Sequence, residues 1–123
     1  KDKNIQSNLE KIAKNIYKSF LNGGKLIICG NGGSMSDALH ISAEFIGRFK
    51  DDRRPLPSIV LGSNQSTLSC IANDYSFKKV FSRELEAVGN KEDKLILIST
   101  SGQSENIIDC LKKSFQLMSS PPT

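Results

Sequence analysis

Apolar residues Ile5, Leu9, Ile12, Ile16 and Phe20 step by four, three, four and four positions, the spacing of one helical face. The pattern predicts an amphipathic helix over 4–21, with Asn22-Gly23-Gly24 as its stop. Lys25 to Cys29 then reads as a short buried strand. Gly30-Asn31-Gly32-Gly33-Ser34 follows, and after it a second helical stretch to about Phe49. Asp51 to Pro57, charged and proline-bearing, is a surface loop. Ser58 to Leu61 is a second strand, and the polar turn Gly62-Ser63-Asn64-Gln65 leads into a short helix ending at Asn73-Asp74. Phe77, Val80, Phe81, Leu85 and Val88 mark another helix, closed by Gly89-Asn90. Lys94 to Thr100 is a third strand, and Ser101-Gly102-Gln103-Ser104 turns into a last helix carrying Ile107, Ile108, Leu111 and Phe115.

Strands alternating with helices predict an α/β fold with a parallel sheet and helices on both faces. The length, 123 residues, fits one domain over 1–123, without internal repeat or linker. Three strands make a small sheet, and a parallel edge strand is normally covered. Ser119-Ser120-Pro121-Pro122-Thr123 stands where the next strand would begin, so the core is expected to be partial, truncated at the C-terminus, rather than shielded by a partner.

Charge and cysteine content narrow the classes further. The net charge is +4, with Arg48, Lys50, Arg53 and Arg54 clustered around Asp51 and Asp52. That favours anionic ligands, but no aromatic residues interleave a basic stripe, so nucleic acid is not an expected partner. Nor is a membrane, since the longest apolar runs, Leu26-Ile27-Ile28-Cys29 and Leu95-Ile96-Leu97-Ile98, fall far short of a span. Cys29, Cys70 and Cys110 show neither CxxC spacing nor an even pairing framework, which suits a reducing compartment, the cytoplasm by default.

Two strand-to-helix turns carry candidate chemistry. In Cys29-Gly30-Asn31-Gly32-Gly33-Ser34, glycines let the backbone approach a ligand, and the following helix offers unpaired N–H groups at its positive end. The alternative is a plain glycine-rich turn with Ser34 as N-cap. Ser99-Thr100-Ser101-Gly102-Gln103-Ser104 puts four hydroxyls within six residues at a strand end, donors that match a phosphate group; an ordinary capping turn needs only one or two. Both turns fall at carboxyl ends of parallel strands, where open α/β sheets bind ligands. Neither contains a lysine, which argues against a P-loop nucleotidase. His40 and Glu44, four apart on the helix leaving the first turn, share a face and are either a surface contact or two ligands of a metal site that needs three or four. Arg48, four further on, would extend that face toward an anion or simply be a solvated helix-end cation. Asn73-Asp74 is a helix stop or a pair that hydrogen-bonds sugar hydroxyls.

Read in order, Cys29-Gly30-Asn31-Gly32-Gly33-Ser34, Asp37-Ala38-Leu39-His40, Glu44-Phe45-Ile46-Gly47-Arg48, Asn73-Asp74-Tyr75, Phe81-Ser82-Arg83, Glu86-Ala87-Val88-Gly89 and Ser99-Thr100-Ser101-Gly102-Gln103-Ser104 resemble the phosphoheptose isomerases, a family of sugar-isomerase (SIS) domain enzymes. The resemblance runs from the first helix to about Lys113. It implies a three-layer, flavodoxin-like sheet, a homotetramer, and a cytoplasmic aldose–ketose isomerisation of sedoheptulose 7-phosphate to D-glycero-D-manno-heptose 7-phosphate, which feeds nucleotide-activated heptose for surface polysaccharide. It further implies that Ser99, Thr100, Ser101 and Ser104 hold the phosphate with help from Ser34. Asn31, Gly32, Gly33, Asn73 and Asp74 would contact the sugar. His40 and Glu44 would be zinc ligands, with Glu44 also the base between C1 and C2. A Gln and a second His are implied as further ligands on a late helix; no histidine follows His40 in residues 41–123, so these residues alone are expected to have little activity. Gly62-Ser63-Asn64-Gln65-Ser66 matches the family less well than the motifs around it. The alternative within the same domain class is a non-catalytic protein that binds a sugar phosphate or a replication initiator, against which Glu44 argues.

Overall fold

A computed structural model describes residues 2–119. Its elements are α1 (Asp2–Leu21), β1 (Leu26–Gly30), α2 (Gly33–Ile46), β2 (Ser58–Val60), α3 (Gln65–Asp74), a 3-10 turn (Phe77–Lys79), α4 (Val80–Val88), β3 (Lys94–Ile98) and α5 (Glu105–Ser119). The strands form one parallel sheet in the order β2-β1-β3, with Leu26 opposite both Ser58 and Lys94. This is the order that opens a flavodoxin-like sheet. Ser119 still belongs to α5; the expected start of a further strand at Ser120 to Thr123 lies outside the described residues.

β1 is buried along its whole length, and its alternating side chains feed two cores, as a strand covered on both faces must. Ile27 and Cys29 pack with Leu61, Ile71, Val80, Phe81, Leu85, Ile107 and Cys110 beneath α3, α4 and α5. Leu26 and Ile28 pack with Ala38 and Val60 beneath α2, with Ile16 and Phe20 of α1 at the margin. The result is three layers, helix–sheet–helix. Among the described residues, no helix is long and apolar enough to cross a membrane.

Several boundaries differ from the sequence reading. α2 stops at Ile46 rather than near Phe49, because Gly47 leaves helical geometry while its N–H still reaches the Ala43 carbonyl at 2.8 Å. Arg53 reinforces the stop by donating to the carbonyls of Glu44 (2.7 Å) and Phe45 (2.9 Å), satisfying acceptors that a helix end leaves open. β1 and β2 are shifted or shortened by a residue. β3 ends at Ile98, two residues early, since Ser99 already turns to cap Gly102. The helix expected over 77–88 opens with the 3-10 turn.

Two apolar faces are left open among the described residues. Ile5, Leu9 and Ile12 of α1 are about half exposed or more. α5 buries Ile107, Cys110 and Ser114, while Ile108, Leu111 and Phe115 form a second, exposed stripe.

At the end of the sheet away from the glycine and serine turns, Asp93 ties β1 to the residues before β3. Its buried carboxylate accepts from the Lys25 backbone N–H (2.9 Å), the Lys25 ammonium (2.8 Å) and the Asn90 N–H (2.9 Å). On the outer face, Asp109 of α5 accepts from Ser82 of α4 and from Lys79 (3.1 Å). Burial works against its ionisation, but these two partners outweigh it and hold the carboxyl below its ordinary value of 3.8. A lowered folded-state value stabilises the fold above the unfolded value, and that contribution is lost as pH falls through the folded one. The stability gap between wild type and Asp109→Asn, read from urea midpoints, is therefore expected to stay level near neutrality and close below pH 3.8. A gap independent of pH would contradict the assignment.

Candidate functional site

Register sets the two turns side by side. Gly30 at the end of β1 lies opposite Ile98 at the end of β3, so Asn31 and Ser99 leave the sheet from adjoining positions. Gly30 is required there, because a Cβ would stand 2.8 Å from the backbone of Ser34, where α2 folds back over the strand. Gly32 takes φ +54° as the N-cap of α2, a conformation that favours glycine. Ser34 is therefore inside the helix and does not cap it. No side chain caps this N-terminus; the Asn31 carbonyl accepts from Ser34 N–H at 2.9 Å and more weakly from Met35 N–H.

The serine-rich turn is pinned by its own hydroxyls. Ser99 Oγ accepts from the Gly102 N–H (3.0 Å) and Ser101 Oγ from the Gln103 N–H (3.1 Å). Both oxygens act as acceptors there, so each hydroxyl hydrogen is available to an anion. Ser104 immediately precedes α5, its carbonyl accepting from the N–H groups of Ile107 and Ile108, and Thr100 is exposed. The glycine turn is also tied to the first turn of α5, just beyond the serine turn. Asn31 Nδ2 donates to Asn106 Oδ1 at 2.8 Å, and Asn106 Nδ2 donates back to Asn31 Oδ1 at 3.0 Å. Asn106 escaped the sequence reading because an Asn in the first turn of a helix looks like routine capping.

His40 and Glu44 meet as their spacing predicts, with His40 Nε2 2.8 Å from Glu44 Oε1 on an exposed face. An imidazole nitrogen converging on a carboxylate oxygen is a donor set that zinc accepts. Among the described residues no third His, Cys, Asp or Glu joins them. The pair fits as two ligands and does not complete a site. It lies on the α2 stripe that runs from Gly33 through Asp37, with His40 about 10 Å along the axis from Gly33 at the ordinary helical rise. The pair thus sits down the helix from the turns rather than among the serines.

Other expected residues fall elsewhere. Arg48 lies past the end of α2, so it does not continue the His40–Glu44 face, and it is exposed. Asn73 and Asp74 close α3, and their hydrogen bonds stay within it: Asn73 Nδ2 to Asp74 Oδ1 at 3.1 Å, and the Cys70 thiol to Asp74 Oδ2 at 3.5 Å. The less familiar turn at Gly62 is held by Glu84 of α4, whose carboxylate accepts the Gly62 N–H at 2.9 Å.

Comparison with known proteins places this architecture. Residues 2–117 match the family described as SIS domain. The chain is 50% identical over 109 residues to a phosphoheptose isomerase of Cytophaga hutchinsonii, covering 89% of this chain and 56% of that protein. It is 47% identical over 113 residues to phosphoheptose isomerase 1 of Campylobacter jejuni, covering 92% of this chain and 61% of that one. Among solved structures, a phosphoheptose isomerase from Francisella tularensis superposes with a TM-score of 0.83 at 33% identity, covering 95% of this chain and 66% of that chain. The enzyme from Neisseria gonorrhoeae gives 0.80 at 38% identity, with 87% and 55% covered. The chain thus spans a little over half the length of the curated relatives it matches. With the parallel three-layer core, the paired glycine and serine turns and the match over 2–117, the chain belongs to the SIS domain family.

Proposed function

We propose that the protein containing this chain is a phosphoheptose isomerase, converting sedoheptulose 7-phosphate to D-glycero-D-manno-heptose 7-phosphate through an enediol, in a route to activated heptose for surface polysaccharide. The observation that carries the reading is the 2.8 Å His40–Glu44 pair on the helix that opens at the glycine turn. An extended seven-carbon chain puts C1 and C2 about 9 Å from its phosphorus at ordinary bond lengths. That is close to the separation, along α2, between the turns and His40. Phosphate held at one end therefore leaves the reacting carbons near the pair.

In this reading Ser99, Thr100, Ser101 and Ser104 grip the phosphate, with Ser34 adding a hydroxyl. The uncapped N-terminus of α2 supplies positive potential. Asn31, Gly32, Gly33, Asn73 and Asp74 contact the sugar, and Arg48 remains a candidate for an anionic group. Glu44 removes a proton from C1 of the ketose and returns it to C2, while the O1 hydroxyl proton passes to O2; the C1–H bond breaks, the C2–H bond forms, and no external oxidant or reductant is needed. Holding the phosphate away from the reacting carbons orients them without involving it in the chemistry. His40 and Glu44 are the residues of this chain that would hold zinc, which when bound supplies Lewis-acid polarisation of the sugar carbonyl.

A homotetramer belongs to the same reading, supported by the exposed α1 stripe beside an apolar groove of about 670 Å³ between α1 and Leu56. Cytoplasmic residence is supported by three free thiols. The full-length protein is expected to turn over sedoheptulose 7-phosphate, and Ser101→Ala/Ser104→Ala to raise its KM at least about tenfold through two lost phosphate contacts. An aldose product assay checks both; no turnover by the zinc-loaded wild type would refute the isomerase.

A further inference from the structure

We propose that Asn106 is a positioning residue that fixes the Asn31 amide and so sets the phosphate turn and the sugar-binding turn in one register. The inference rests on the sugar-phosphate reading above and deepens it. Asn106 belongs to the first turn of α5 yet is only 4% exposed. Its side chain points across the ends of β3 and β1 instead of capping its own helix. The reciprocal bonds to Asn31 join positions 75 residues apart.

Each amide gives the other one N–H and accepts one in return. A side-chain amide has two N–H donors and an oxygen with two lone pairs. Asn31, half-buried, is therefore left with one donor and one acceptor in fixed relative positions. Rotating the Asn31 amide alone would set N–H against N–H and oxygen against oxygen, so the pairing penalises the wrong orientation. Asn31 follows Gly30 of β1, and its carbonyl accepts from the Ser34 and Met35 N–H groups in the first turn of α2. The same pair thus ties the start of α2 to the start of α5, the two helix ends that face a bound phosphate sugar.

A residue acting this way has a signature that a purely structural one lacks. The test is a double-mutant cycle in the full-length protein with Asn31→Ala, Asn106→Ala and the double variant. Binding of sedoheptulose 7-phosphate and of inorganic phosphate is read by calorimetry, and thermal stability in parallel. Expected is about a tenfold loss of sugar-phosphate affinity for Asn106→Ala, the scale of one unmade hydrogen bond. Inorganic phosphate affinity stays within about twofold, because the serine turn carries its own internal bonds. The double variant is no weaker than Asn31→Ala, since residues acting through one another are not additive. If Asn106→Ala does not fold, Asn106→Leu, which keeps the volume and adds no charge while removing both hydrogen bonds, is expected to show the same selective loss. Additive losses, an equal loss for both ligands, or unchanged sugar-phosphate affinity would overturn the assignment while leaving the isomerase reading intact. A wild type that binds no sugar phosphate would overturn both.

Discussion

Glu44→Gln is expected to lower isomerase turnover at least about a thousandfold, within the range that a general base contributes. Glutamine matches glutamate in shape and still accepts a hydrogen bond from His40, so α2 should keep its geometry. What it loses is the capacity to take a proton from carbon. It also loses carboxylate charge, and with it strength as a metal ligand. Zinc content per subunit must therefore be measured beside kcat, with Glu44→Asp, which keeps the carboxylate on a shorter arm, as the comparison. Sugar-phosphate affinity is expected to change only a few-fold, because the proposed phosphate contacts lie in the serine turn and not at Glu44. Undiminished turnover would remove Glu44 from the reaction and assign the proton transfer to another group.

Asp93→Ala is expected to cost about 3 kcal/mol of folding stability, the lower part of the range for breaking a buried ion pair. The side chain of Asp93 is fully buried and that of Lys25 is 23% exposed. Removing the carboxylate leaves the Lys25 and Asn90 N–H groups without their acceptor and strips the ammonium of its counter-charge. The ammonium keeps the Val88 carbonyl at 2.7 Å and some water, which limits the loss. Urea denaturation of the full-length protein gives the number, and Lys91→Ala, on an exposed position, should shift the midpoint by less than about 0.5 kcal/mol. A loss below about 1 kcal/mol would show that the pair adds little beyond solvation.

Local pattern carried much of this fold. Runs such as Leu26 to Cys29 and Leu95 to Ile98 are strands because parallel pairing buries both faces, and the two turns stand out because glycine and serine cluster where apolar runs end. The His40–Glu44 contact is legible because helical period alone brings i and i+4 together. What the letters did not reveal depends on distant chain. Arg48 looked like a continuation of the α2 face, but Arg53, nine residues beyond Glu44, helps to end the helix first. Ser34 looked like a cap until the backbone at Gly32 took that place. Asn106 and Asp93 are polar letters in ordinary turn contexts, and only the sheet register turns them inward. Cys29 and Cys110 share a core for the same reason; the Cys110 thiol beside it and burial both push the Cys29 thiol far above its ordinary value.

The strand order has a consequence for how this chain comes into being. β1, the middle strand, is the first of the three to leave the ribosome, and it is the one with two neighbours to find. Both neighbours are parallel, so no adjacent hairpin can shelter it. Its second flank closes only once β3 has emerged, with Asp93 fastening Lys25 from 68 positions downstream. Until β3 emerges, Leu26-Ile27-Ile28-Cys29 is therefore an adhesive ribbon, and slow elongation between Ser58 and Lys94 would lengthen its exposure to chaperones and to aggregation.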